Sequence, residues 1–581
     1  MKFCHACAVL LLLALPLTAR AQESVPPPEA GSGTVAKALV AAERHMVVAA
    51  HPLAAQAGRE ILRQGGSAAD AAIAVQLVLG LVEPQSSGLG GGAFIVTWDE
   101  AAKSVVTIDG RETAPASATA DRFLKDGKPM DFDEAVRSGL SVGTPGAVRG
   151  LEALHKKFGK LPWSALFTPA IKLARDGFPV GARLNALLRL EGAERFPVKA
   201  REYFFDGEGN PRAAGAVIRN PDYAASLEDI ASHGAAAFYQ GRIADEMIAA
   251  VGAAPFAKGD LTREDLSSYA AKERAPVCFT YRVRKICGMG PPSSGTLTIA
   301  QTLKIIEPLG GVSGMNARMT AGALHLIGEA EKLAFADRNR YLADPDFVTI
   351  PSGLLDDGYL AERRNLVNRA RAMEKPAAGV PPGMAKRTYG DDATAERAGT
   401  SHISIVDDAG NAVAMTTTIE SAFGSHMMAA GFLLNNELTD FSLRPVDKNG
   451  VAAANRVEGG KRPRSSMAPL IVFDAGGNLE VVTGSPGGSR IILFMVKTLV
   501  ALIDWNMAAD EAAALANFGS EGGAFQIEAG TPAFWLDVSL KSMGHQVGHE
   551  VMTSGVHTIV KRSGRLEGGA DPRREGVALG D

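Results

Sequence analysis

The junction at residues 399–406 constrains this chain more than any other stretch. A segment rich in proline, glycine and alanine precedes it, and the sequence GTSHISIV then changes abruptly to the alternating pattern of a strand. We interpret the junction as a site where the chain cuts itself between Gly399 and Thr400. The freed Thr400 would use its hydroxyl as nucleophile and its own α-amino group as base, a known way of activating a weak hydroxyl.

The segment before the junction, residues 373–399, has the composition of an exposed and poorly ordered linker. It contains KPAAGVPPG at 375–383 and ends in DDATAERAG. A linker between two domains would look the same. If Thr400 becomes an N-terminus, this segment becomes a tail that is free to swing away.

The residues after Thr400 predict a β-hairpin. The stretch His402–Asp407 alternates, a turn follows, and Ala412–Ile419 returns. A three-residue loop would place Thr418 opposite Thr400, and a two-residue loop would shift the pairing by one. In either register the returning strand passes the nucleophile, so Thr418 is a candidate to hydrogen-bond its hydroxyl.

A later pair of strands ends in a glycine-rich turn. The pattern predicts strands over Ala468–Phe473 and Leu479–Thr483 and then a helix over Arg490–Trp505. Gly487 and Gly488 would lie at the N-terminus of that helix, where adjacent N–H groups and the helix dipole suit an oxyanion. A plain strand-to-helix turn explains the glycines equally well.

An arginine follows the first predicted hairpin of the chain. Two helical patterns, His51–Gly65 and Ser67–Leu81, lead into strands over Phe94–Trp98 and Ser104–Asp109. Arg111 comes just after the second strand. Such a residue is usually a solvated charge or a structural ion pair, but its guanidinium also suits two-pronged binding of a carboxylate.

The size and charge of the chain exclude some classes of function. Its 581 residues predict two to four domain-sized units or one large α/β body. The net charge of −4 argues against a nucleic-acid partner, which usually needs a basic face. Outside the N-terminus no apolar run reaches the length of about 18 residues that a membrane span needs.

The N-terminus has the pattern of a secretory signal over residues 1–21. Lys2 supplies the positive start, Ala8–Leu17 the apolar region, and Ala19-Arg20-Ala21 a small-x-small cleavage site. A buried N-terminal helix is the alternative. We expect an exported protein, periplasmic if the source is a Gram-negative bacterium.

Two cysteines remain after such a signal is removed. Cys278 and Cys287 lie in a predicted hairpin that turns near Arg282 and Val283, and symmetry about the turn places them opposite each other. In an oxidising compartment they could form a cross-strand disulfide. Two buried free thiols are an equally good interpretation.

Three other patterns are poor matches to the chemistry they suggest. The glycines of 88–93 follow a helix and precede a strand, which is the reverse of a dinucleotide-binding fingerprint. His545 and His549 are four apart beside Glu550, but flanking glycines disfavour the helix that a metal site of this spacing needs. Ser485 lacks the preceding glycine of a nucleophile elbow. We therefore predict no metal site and no Ser-His-Asp triad.

The motifs over roughly 40–575 resemble those of the γ-glutamyltranspeptidase family. In the second part of the chain they are TSH at 400–402, GNAV at 410–413, TTTI at 416–419, FGS at 423–425, GFLLNNELTDFS at 431–442, KRPRSSM at 461–467 and TGSPGG at 483–488. In the first part they are GLGGG at 88–92, RETAP at 111–115, TPG at 144–146 and PPSSG at 291–295, and ADPR at 570–573 comes last.

The resemblance implies a mixed α/β fold, the αββα sandwich of N-terminal-nucleophile hydrolases. It also implies an autocatalytic cut between Gly399 and Thr400. The products would be a large subunit, 22–399, and a small catalytic subunit, 400–581, which stay together as a heterodimer. Such enzymes need no cofactor and transfer the γ-glutamyl group of glutathione and related compounds to water or an acceptor amine.

The resemblance also implies a role for each site residue. Thr400 would be the nucleophile, supported by Thr418. Gly487 and Gly488 would form the oxyanion hole. Arg111, Ser465 and Ser466 would hold the α-carboxylate of the substrate. Glu437 and Asp440 would hold its α-ammonium. An arginine with two hydroxyls facing two carboxylates matches the zwitterionic end of a γ-glutamyl donor.

The sequence departs from the family pattern at two places near this site. Glu420 stands where well-studied members have an asparagine that binds the α-amino group; a carboxylate could do this by charge, with altered preference. The predicted flap, Leu443–Arg464, contains no aromatic residue, whereas some members close the site with a tyrosine. A more open pocket is the expected result.

Two rival functions fit parts of the sequence. A cephalosporin-acylase-like enzyme on the same fold would keep Thr400 and the oxyanion glycines but need less from Glu437 and Asp440. A non-catalytic periplasmic homologue or binding protein would remain an uncut chain.

Overall fold

Two seven-stranded antiparallel sheets form the centre of the molecule. The computed structural model describes residues 31–384, 389–392, 394, 396–397 and 399–581. One sheet, the nucleophile sheet, has Thr400 at the start of its third strand. Its spatial order is Val577–Gly580, Met46–Ala49, Thr400–Val406, Ala412–Thr418, Gly92–Asp99, Ser104–Gly110 and Lys272–Arg274.

The second sheet packs against one face of the nucleophile sheet. Its spatial order is Val40–Ala42, Arg565–Ala570, His557–Arg562, Leu479–Gly484, Leu470–Phe473, Arg284–Gly288 and Val277–Tyr281. Strands from both ends of the chain enter both sheets, so the parts before and after the junction share one core.

Helices cover the outer faces of both sheets and complete the αββα sandwich. On the nucleophile sheet lie Pro52–Arg63, Ala68–Val82, Ala147–Phe158, Thr168–Asp176, Ala182–Glu191, Val198–Phe204, Pro221–His233, Ala236–Tyr239, Gly241–Gly252 and Arg263–Ser267. On the second sheet lie Gly295–Ile306, Ala321–Tyr341, Asp357–Arg364, Ile491–Ile503, Ala509–Ala514 and Asp537–Ser542. The layered α/β prediction is confirmed.

Short elements join the layers. They include the helix Phe132–Val136, the 3₁₀ helix Glu437–Asp440, the paired strands Leu124–Lys125 with Lys128–Pro129, Phe178–Pro179 with Val217–Ile218, Met428–Ala429 with Phe432–Leu433, and the group Phe518–Gly519, Phe525–Glu528 and Val547–Glu550.

Strand alternation makes the layer between the sheets polar near the junction. In the strand Thr400–Val406, Ile403 and Ile405 join the core beneath the helices. The intervening His402 and Ser404 face the second sheet, where Ser404 Oγ donates to the carbonyl oxygen of His557 at 3.0 Å. Successive side chains of a strand point to opposite faces, which accounts for this division.

The hairpin that begins at Thr400 has the predicted three-residue loop. Asp407 N–H donates to Asn411 O at 3.0 Å, and Val406 pairs with Ala412. This register places Thr418 directly opposite Thr400. The prediction from loop length is confirmed.

The cysteine hairpin is disulfide-bonded. Cys278 and Cys287 pair in register on adjacent strands and form a disulfide. The turn contains Arg282 and Val283, both with positive φ, as a tight two-residue hairpin turn requires. Of the two interpretations left open by the sequence, the structure has the disulfide.

The predicted signal at residues 1–21 lies outside the described residues. Within the part of the chain that the structure describes, no helix combines the length and apolar character needed to cross a bilayer.

The prediction that 373–399 forms an exposed linker is wrong for Asp392 and for the Glu396 side chain, whereas Asp391 and Arg397 are exposed as predicted. Asp392 is buried, and the Glu396 side chain is only 3% exposed. Gly390 N–H donates to Ala452 O at 3.0 Å, and Asp391 pairs with Arg340 on the surface. Composition indicated a linker because it does not reveal that these acidic side chains have arginine partners elsewhere in the fold.

We predict that Gly484→Ala lowers the free energy of unfolding of the sandwich and slows cleavage of the chain between Gly399 and Thr400. A Cβ at this position would lie 2.2 Å from the His402 ring, and overpacking of this kind costs about 1–3 kcal/mol. Urea unfolding measures the change in stability, and gel electrophoresis of the chain over time measures the rate of cleavage. Gly252→Ala is the control, because a Cβ there meets no atom within 4 Å; equal stability of the two variants would contradict the packing argument.

Candidate active site

Thr418 connects the hydroxyl of Thr400 with the carbonyl of Gly399. Thr400 Oγ1 donates to Thr418 Oγ1 at 3.5 Å, and Thr418 Oγ1 donates to Gly399 O at 2.7 Å. The Glu420 N–H donates to Thr418 Oγ1 at 2.8 Å. These bonds use the single donor of Thr418 and orient it toward the peptide bond that the sequence predicts to be cut.

Arg574 is a neighbour of Thr400 that the sequence analysis missed. Its Nη1 donates to Thr400 O at 3.0 Å, and the side chain is almost completely buried. It follows the ADPR motif, whose own Arg573 pairs with Asp571 and Glu528 instead. A second arginine directly after that motif was the available signal.

Gly487 and Gly488 lie at the predicted strand-to-helix turn. Their φ values of 141° and 57° belong to the region that favours glycine. Gly488 begins a short 3₁₀ turn that continues into the helix Ile491–Ile503. A Cβ on Gly488 would lie 2.6 Å from Arg397 O, so the segment before the junction covers this glycine in the uncut chain.

A cavity brings most of the predicted site residues together. Gly487 lies beside this lining rather than in it. The lining residues are Thr400, Thr418, Gly488, Arg111, Glu420, Glu437, Asp440, Ser465 and Ser466, together with Glu396, Arg397, Met467 and Ile491.

Arg111 binds two of the predicted site carboxylates. Its Nη1 pairs with Glu437, and its Nη2 with Asp440 at 2.5 Å. Further N–H groups donate to the carbonyl oxygens of Pro463 at 3.2 Å and Arg464 at 2.8 Å. Burial lowers the pKa of Arg111, but attraction to Glu437 and Asp440 outweighs it and raises the pKa overall, so the guanidinium stays charged.

Several carboxyl groups surround the single positive charge of Arg111. Burial raises the pKa of Glu437 and of Asp440 well above the ordinary value; attraction to Arg111 opposes this, and repulsion from neighbouring carboxylates such as Glu420 adds to it. Burial also raises the pKa of Glu112 to about 7. Among the described residues, none donates a hydrogen bond to Glu437 Oε2 or Asp440 Oδ1, although both atoms are buried. Arg111 is therefore one cation among several carboxyl groups, and it leaves these two buried oxygens without a donor.

Glu420 is built into the cavity wall with a strained backbone. Its φ is 75°, uncommon for a residue with a side chain. The carboxylate accepts from Ser421 Oγ and Asn436 Nδ2, both at 2.5 Å, and from Arg397 N–H at 3.2 Å. Burial raises its pKa. A further negative group thus lies beside the predicted ammonium site.

The two serines of the KRPRSSM motif have different surroundings. Ser465 Oγ accepts from Met467 N–H at 3.2 Å. Ser466 Oγ donates to Glu396 Oε2 and accepts from Arg338 Nη2, both at 2.6 Å. In the uncut chain, Ser466 therefore already holds a carboxylate.

Glu396, Arg338 and Arg464 form an ion cluster that the sequence analysis missed. Arg338 Nη2 pairs with Glu396, and Arg464 Nε lies 3.3 Å from the same carboxylate. Burial raises the pKa of Glu396, but attraction to both arginines outweighs this and lowers it to about 2. Arg338 comes from the helix Ala321–Tyr341, which is distant along the sequence from every motif used to identify the site.

The histidines 545 and 549 do not converge on one point. His549 lies in the strand Val547–Glu550 and His545 just before it. His549 Nε2 is 3.5 Å from Asp537, whereas His545 Nε2 is 2.7 Å from His325 Nδ1. The absence of helical geometry agrees with the sequence argument.

His545 nevertheless belongs to a buried group with His325 and Glu329 whose ligand atoms lie within 4.8 Å of one another. Protein hydrogen bonds occupy most of these atoms. The other nitrogen of His325 contacts Asn368 O at 2.7 Å, and Lys332 Nζ donates to Glu329 at 2.8 Å. The lysine already supplies the positive charge that a cation would bring.

Known proteins resemble this chain over nearly its full length. The family described as gamma-glutamyltranspeptidase matches residues 54–581. The "Glutathione hydrolase proenzyme" of Escherichia coli K12 is 38% identical over 548 residues, which are 92% of this chain and 91% of that protein. The protein of the same description from Bacillus subtilis 168 is 36% identical over 551 residues, with the same shares.

A solved structure has the same architecture. The cephalosporin acylase from Bacillus halodurans superposes with a TM-score of 0.80 at 26% identity, covering 94% of this chain and 98% of that one.

We predict that Thr418→Val slows self-cleavage about 10²-fold, because removing one donor to a developing oxyanion has an effect of that size. Thr418→Ser should restore the rate, and Thr400→Ala should remain uncut. Intact mass and N-terminal sequencing over time measure the reaction, whose small product should begin Thr400-Ser401-His402.

Thr417→Val is the matched control for this test. Its hydroxyl donates to Gly92 O at 3.1 Å, away from the junction, so cleavage should proceed normally. A folded wild-type chain that stays intact, or equal rates for the two valine variants, would contradict the assignment.

Proposed function

The chain belongs to the γ-glutamyltranspeptidase family, and from this premise we propose that it transfers γ-glutamyl groups through an ester on Thr400. The donors would be glutathione and related γ-glutamyl amides, and the acceptor water or an amine. The active form would be a heterodimer of residues 22–399 and 400–581, made by a cut between Gly399 and Thr400.

The cut would follow from the contacts at the junction. Thr400 Oγ attacks the Gly399 carbonyl carbon, and the hydroxyl proton is transferred to the amide nitrogen as the C–N bond breaks. The product is an ester of Gly399 on Thr400 Oγ with a free α-amine. Thr418, whose hydroxyl is 2.7 Å from Gly399 O, would stabilise the negative oxygen. Water then hydrolyses the ester.

The same hydroxyl would next act on the donor. The α-amine of Thr400 takes the proton as Oγ attacks the γ-carbonyl carbon, and the N–H groups of Gly487 and Gly488 would hold the oxyanion. The leaving amine takes a proton when its C–N bond breaks, which leaves a γ-glutamyl ester. Water or an acceptor amine attacks this ester and restores the free hydroxyl.

One observation carries the choice of donor. Glu437 Oε2 and Asp440 Oδ1 are buried acceptors without a donor among the described residues, and both residues line the cavity that contains Thr400. An α-ammonium group would supply the missing hydrogen bonds and charge. Ser465, Ser466 and Arg111 line the same cavity and would receive the α-carboxylate.

A second candidate is a cephalosporin-acylase-like amidase, favoured by the structural likeness to the Bacillus halodurans enzyme. A glutaryl side chain has the carboxylate of a γ-glutamyl group but no ammonium. It would leave Glu437 and Asp440 without a donor, which is why we rank this function second.

The location is part of the same proposal. Residues 1–21 would direct export and be removed, so that the mature heterodimer works in the periplasm or outside the cell. The disulfide of Cys278 and Cys287 supports an oxidising compartment.

We predict that the mature enzyme hydrolyses γ-glutamyl-p-nitroanilide and glutathione faster than glutaryl-p-nitroanilide. Glu437→Gln should raise KM for the γ-glutamyl donor about 10- to 100-fold, because it weakens a charged hydrogen bond to the ammonium, and should change the glutaryl reaction little. Steady-state kinetics measure both.

Glu458→Gln is the control, since this carboxylate lies on the flap, pairs with Lys461 and does not line the cavity. Preference for the glutaryl anilide would favour the acylase. A cleaved enzyme inactive on every anilide would contradict both candidates.

We further predict that L-glutamate inhibits less well as the pH falls. Burial raises the pKa of Glu437 and Asp440. As the pH falls, these groups are therefore protonated, and lose their negative charge, at a pH higher than the ordinary carboxyl pKa of about 4. The neutral forms bind an ammonium weakly. Glutarate lacks the ammonium, so the ratio of the glutamate Ki to the glutarate Ki should rise as the pH decreases. A ratio that is constant with pH would contradict the role of these carboxylates.

A further inference from the structure

Ser485 lies at the start of the turn that contains Gly487 and Gly488, and the mechanism proposed above does not use it. The residue is completely buried. Its hydroxyl donates to Pro486 O at 2.8 Å and accepts from Gly555 N–H at 3.2 Å. Because a serine hydroxyl has a single proton to donate, these two bonds fix its orientation.

The bond to Pro486 O fixes the direction of the Gly487 N–H group. The peptide bond between the two residues is trans, and in a trans peptide the C=O and N–H groups point in opposite directions. A carbonyl held by Ser485 therefore directs the Gly487 N–H away from Ser485. Among the described residues, none accepts a hydrogen bond from this N–H. A glycine has many accessible conformations, so the hydroxyl supplies an anchor that the backbone lacks.

Ser485 replaces a backbone hydrogen bond that proline cannot make. The strands on either side pair as far as Gly484 opposite His557. The ladder cannot continue through Pro486, which has no N–H group. The Ser485 hydroxyl accepts from Gly555 N–H in place of a backbone carbonyl. The turn is thereby tied to the loop that precedes the neighbouring strand.

The loop at Gly555 is itself firmly held. Ser554 Oγ donates to Asp571 Oδ2 at 2.5 Å, and Val556 N–H donates to the same oxygen at 3.1 Å. Asp571 N–H donates in return to Val556 O at 2.9 Å. Gly555 is therefore fixed on both sides, and it offers Ser485 a rigid support.

The same part of the fold also contacts the predicted nucleophile. Arg574, three residues after Asp571, donates from Nη1 to Thr400 O at 3.0 Å. A Cβ on Gly555 would lie 2.7 Å from Pro486 Cγ and 2.9 Å from Arg574 Cδ, so Gly555 packs between these two side chains. This packing sets the position of the turn relative to the residue that bears the attacking hydroxyl.

We propose that Ser485 is a positioning residue that directs the Gly487 N–H toward the oxyanion formed when Thr400 attacks an acyl donor. It acts through the peptide bond between Pro486 and Gly487 and not by contact with the donor. The inference rests on the proposed function for the acyl-transfer reaction. It does not depend on which acyl group is transferred, because attack on any amide carbonyl gives a tetrahedral oxyanion.

Self-cleavage should not need Ser485. In the uncut chain, Thr418 Oγ1 donates to Gly399 O at 2.7 Å, whereas Arg397 O covers Gly488. The oxyanion of the cut would therefore form beside Thr418, and that of acyl transfer would form at the glycine turn. A substitution at Ser485 should separate the two reactions.

Ser485→Ala in the mature enzyme tests the proposal with γ-glutamyl-p-nitroanilide. We expect kcat to fall about 10- to 100-fold, because a wrongly directed donor loses part of the oxyanion stabilisation. KM should change less than about threefold, since the interaction is made in the transition state. The rate of cleavage between Gly399 and Thr400 should match that of the wild type. Ser485→Thr, which keeps the hydroxyl, should recover most of the loss in kcat.

Thr483→Val is the matched control on the same strand, two residues before Ser485. It also removes a buried hydroxyl, which bonds Thr558 Oγ1 at 2.7 Å, and it should leave kcat and the cleavage rate unchanged. A kcat for Ser485→Ala equal to that of the control would overturn the proposal. A parallel loss of kcat and of the cleavage rate would also overturn it, because it would show a merely structural role.

A tetrahedral inhibitor gives an independent measurement. In a boronic acid analogue of the γ-glutamyl group, Thr400 Oγ adds to the trigonal boron while the hydroxyl proton passes to the α-amine. The anionic adduct places one oxygen where the oxyanion would lie. Ser485→Ala should raise Ki for this analogue about 10- to 100-fold and should leave Ki for L-glutamate, which forms no adduct, unchanged. Equal changes in the two constants, or no change in either, would overturn the proposal.

Failure of the proposed function would give a different result. A cleaved wild-type enzyme that uses the glutaryl but not the γ-glutamyl anilide would overturn that function. Ser485→Ala should then show the same loss of kcat on the glutaryl anilide, because the inference concerns the carbonyl oxygen and not the acyl chain. A wild-type kcat for this variant on the anilide that the enzyme accepts would overturn the positioning role alone.

Discussion

The antiparallel pairing of Thr400–Val406 with Ala412–Thr418 is the interaction on which the site depends. Because side chains alternate along a strand, a shift of one residue would turn every side chain of the hairpin to the opposite face. Thr418 would then no longer bond Gly399 O. The register is fixed by the three-residue loop and by the burial of both faces, one under helices and the other against the second sheet. The chemistry at the junction thus follows from packing that extends through the whole sandwich.

Buried charge is the second constraint, and the chain satisfies it with its own segments. Charged groups are stable inside a protein only when they are paired and hydrogen-bonded. Glu396 neutralises Arg338, and Arg111 partly neutralises Glu437 and Asp440. Glu437 Oε2 and Asp440 Oδ1 have no hydrogen-bond partner among the described residues. Under the proposed function, the ammonium of the donor would supply that partner.

The sequence predicted the parts of this arrangement that local rules determine. Strand alternation and loop length predicted the hairpin and the neighbour of Thr400, and symmetry about a turn predicted the pairing of Cys278 with Cys287. Local rules do not predict contacts between distant segments. Arg338 lies within a helix and Glu396 within a segment of linker-like composition, so neither carried a signal of its partner. Asp392 and the Glu396 side chain, within that segment, were wrongly predicted to be exposed for the same reason.

The balance of charge around the cavity also bears on which acyl groups the site distinguishes. Under the proposed function, a cation that receives the carboxylate of the donor would serve a γ-glutamyl and a glutaryl group alike, so it would not separate the two candidate functions. The separation would depend on the carboxylates, because a ligand without an ammonium would leave the buried oxygens of Glu437 and Asp440 without a donor. Glu420 would strengthen the need for an ammonium, because repulsion from its buried carboxyl group raises the pKa of both Glu437 and Asp440. Discrimination by an unsatisfied polar group is stronger than discrimination by shape, so under the proposed function selectivity would depend on Glu437 and Asp440.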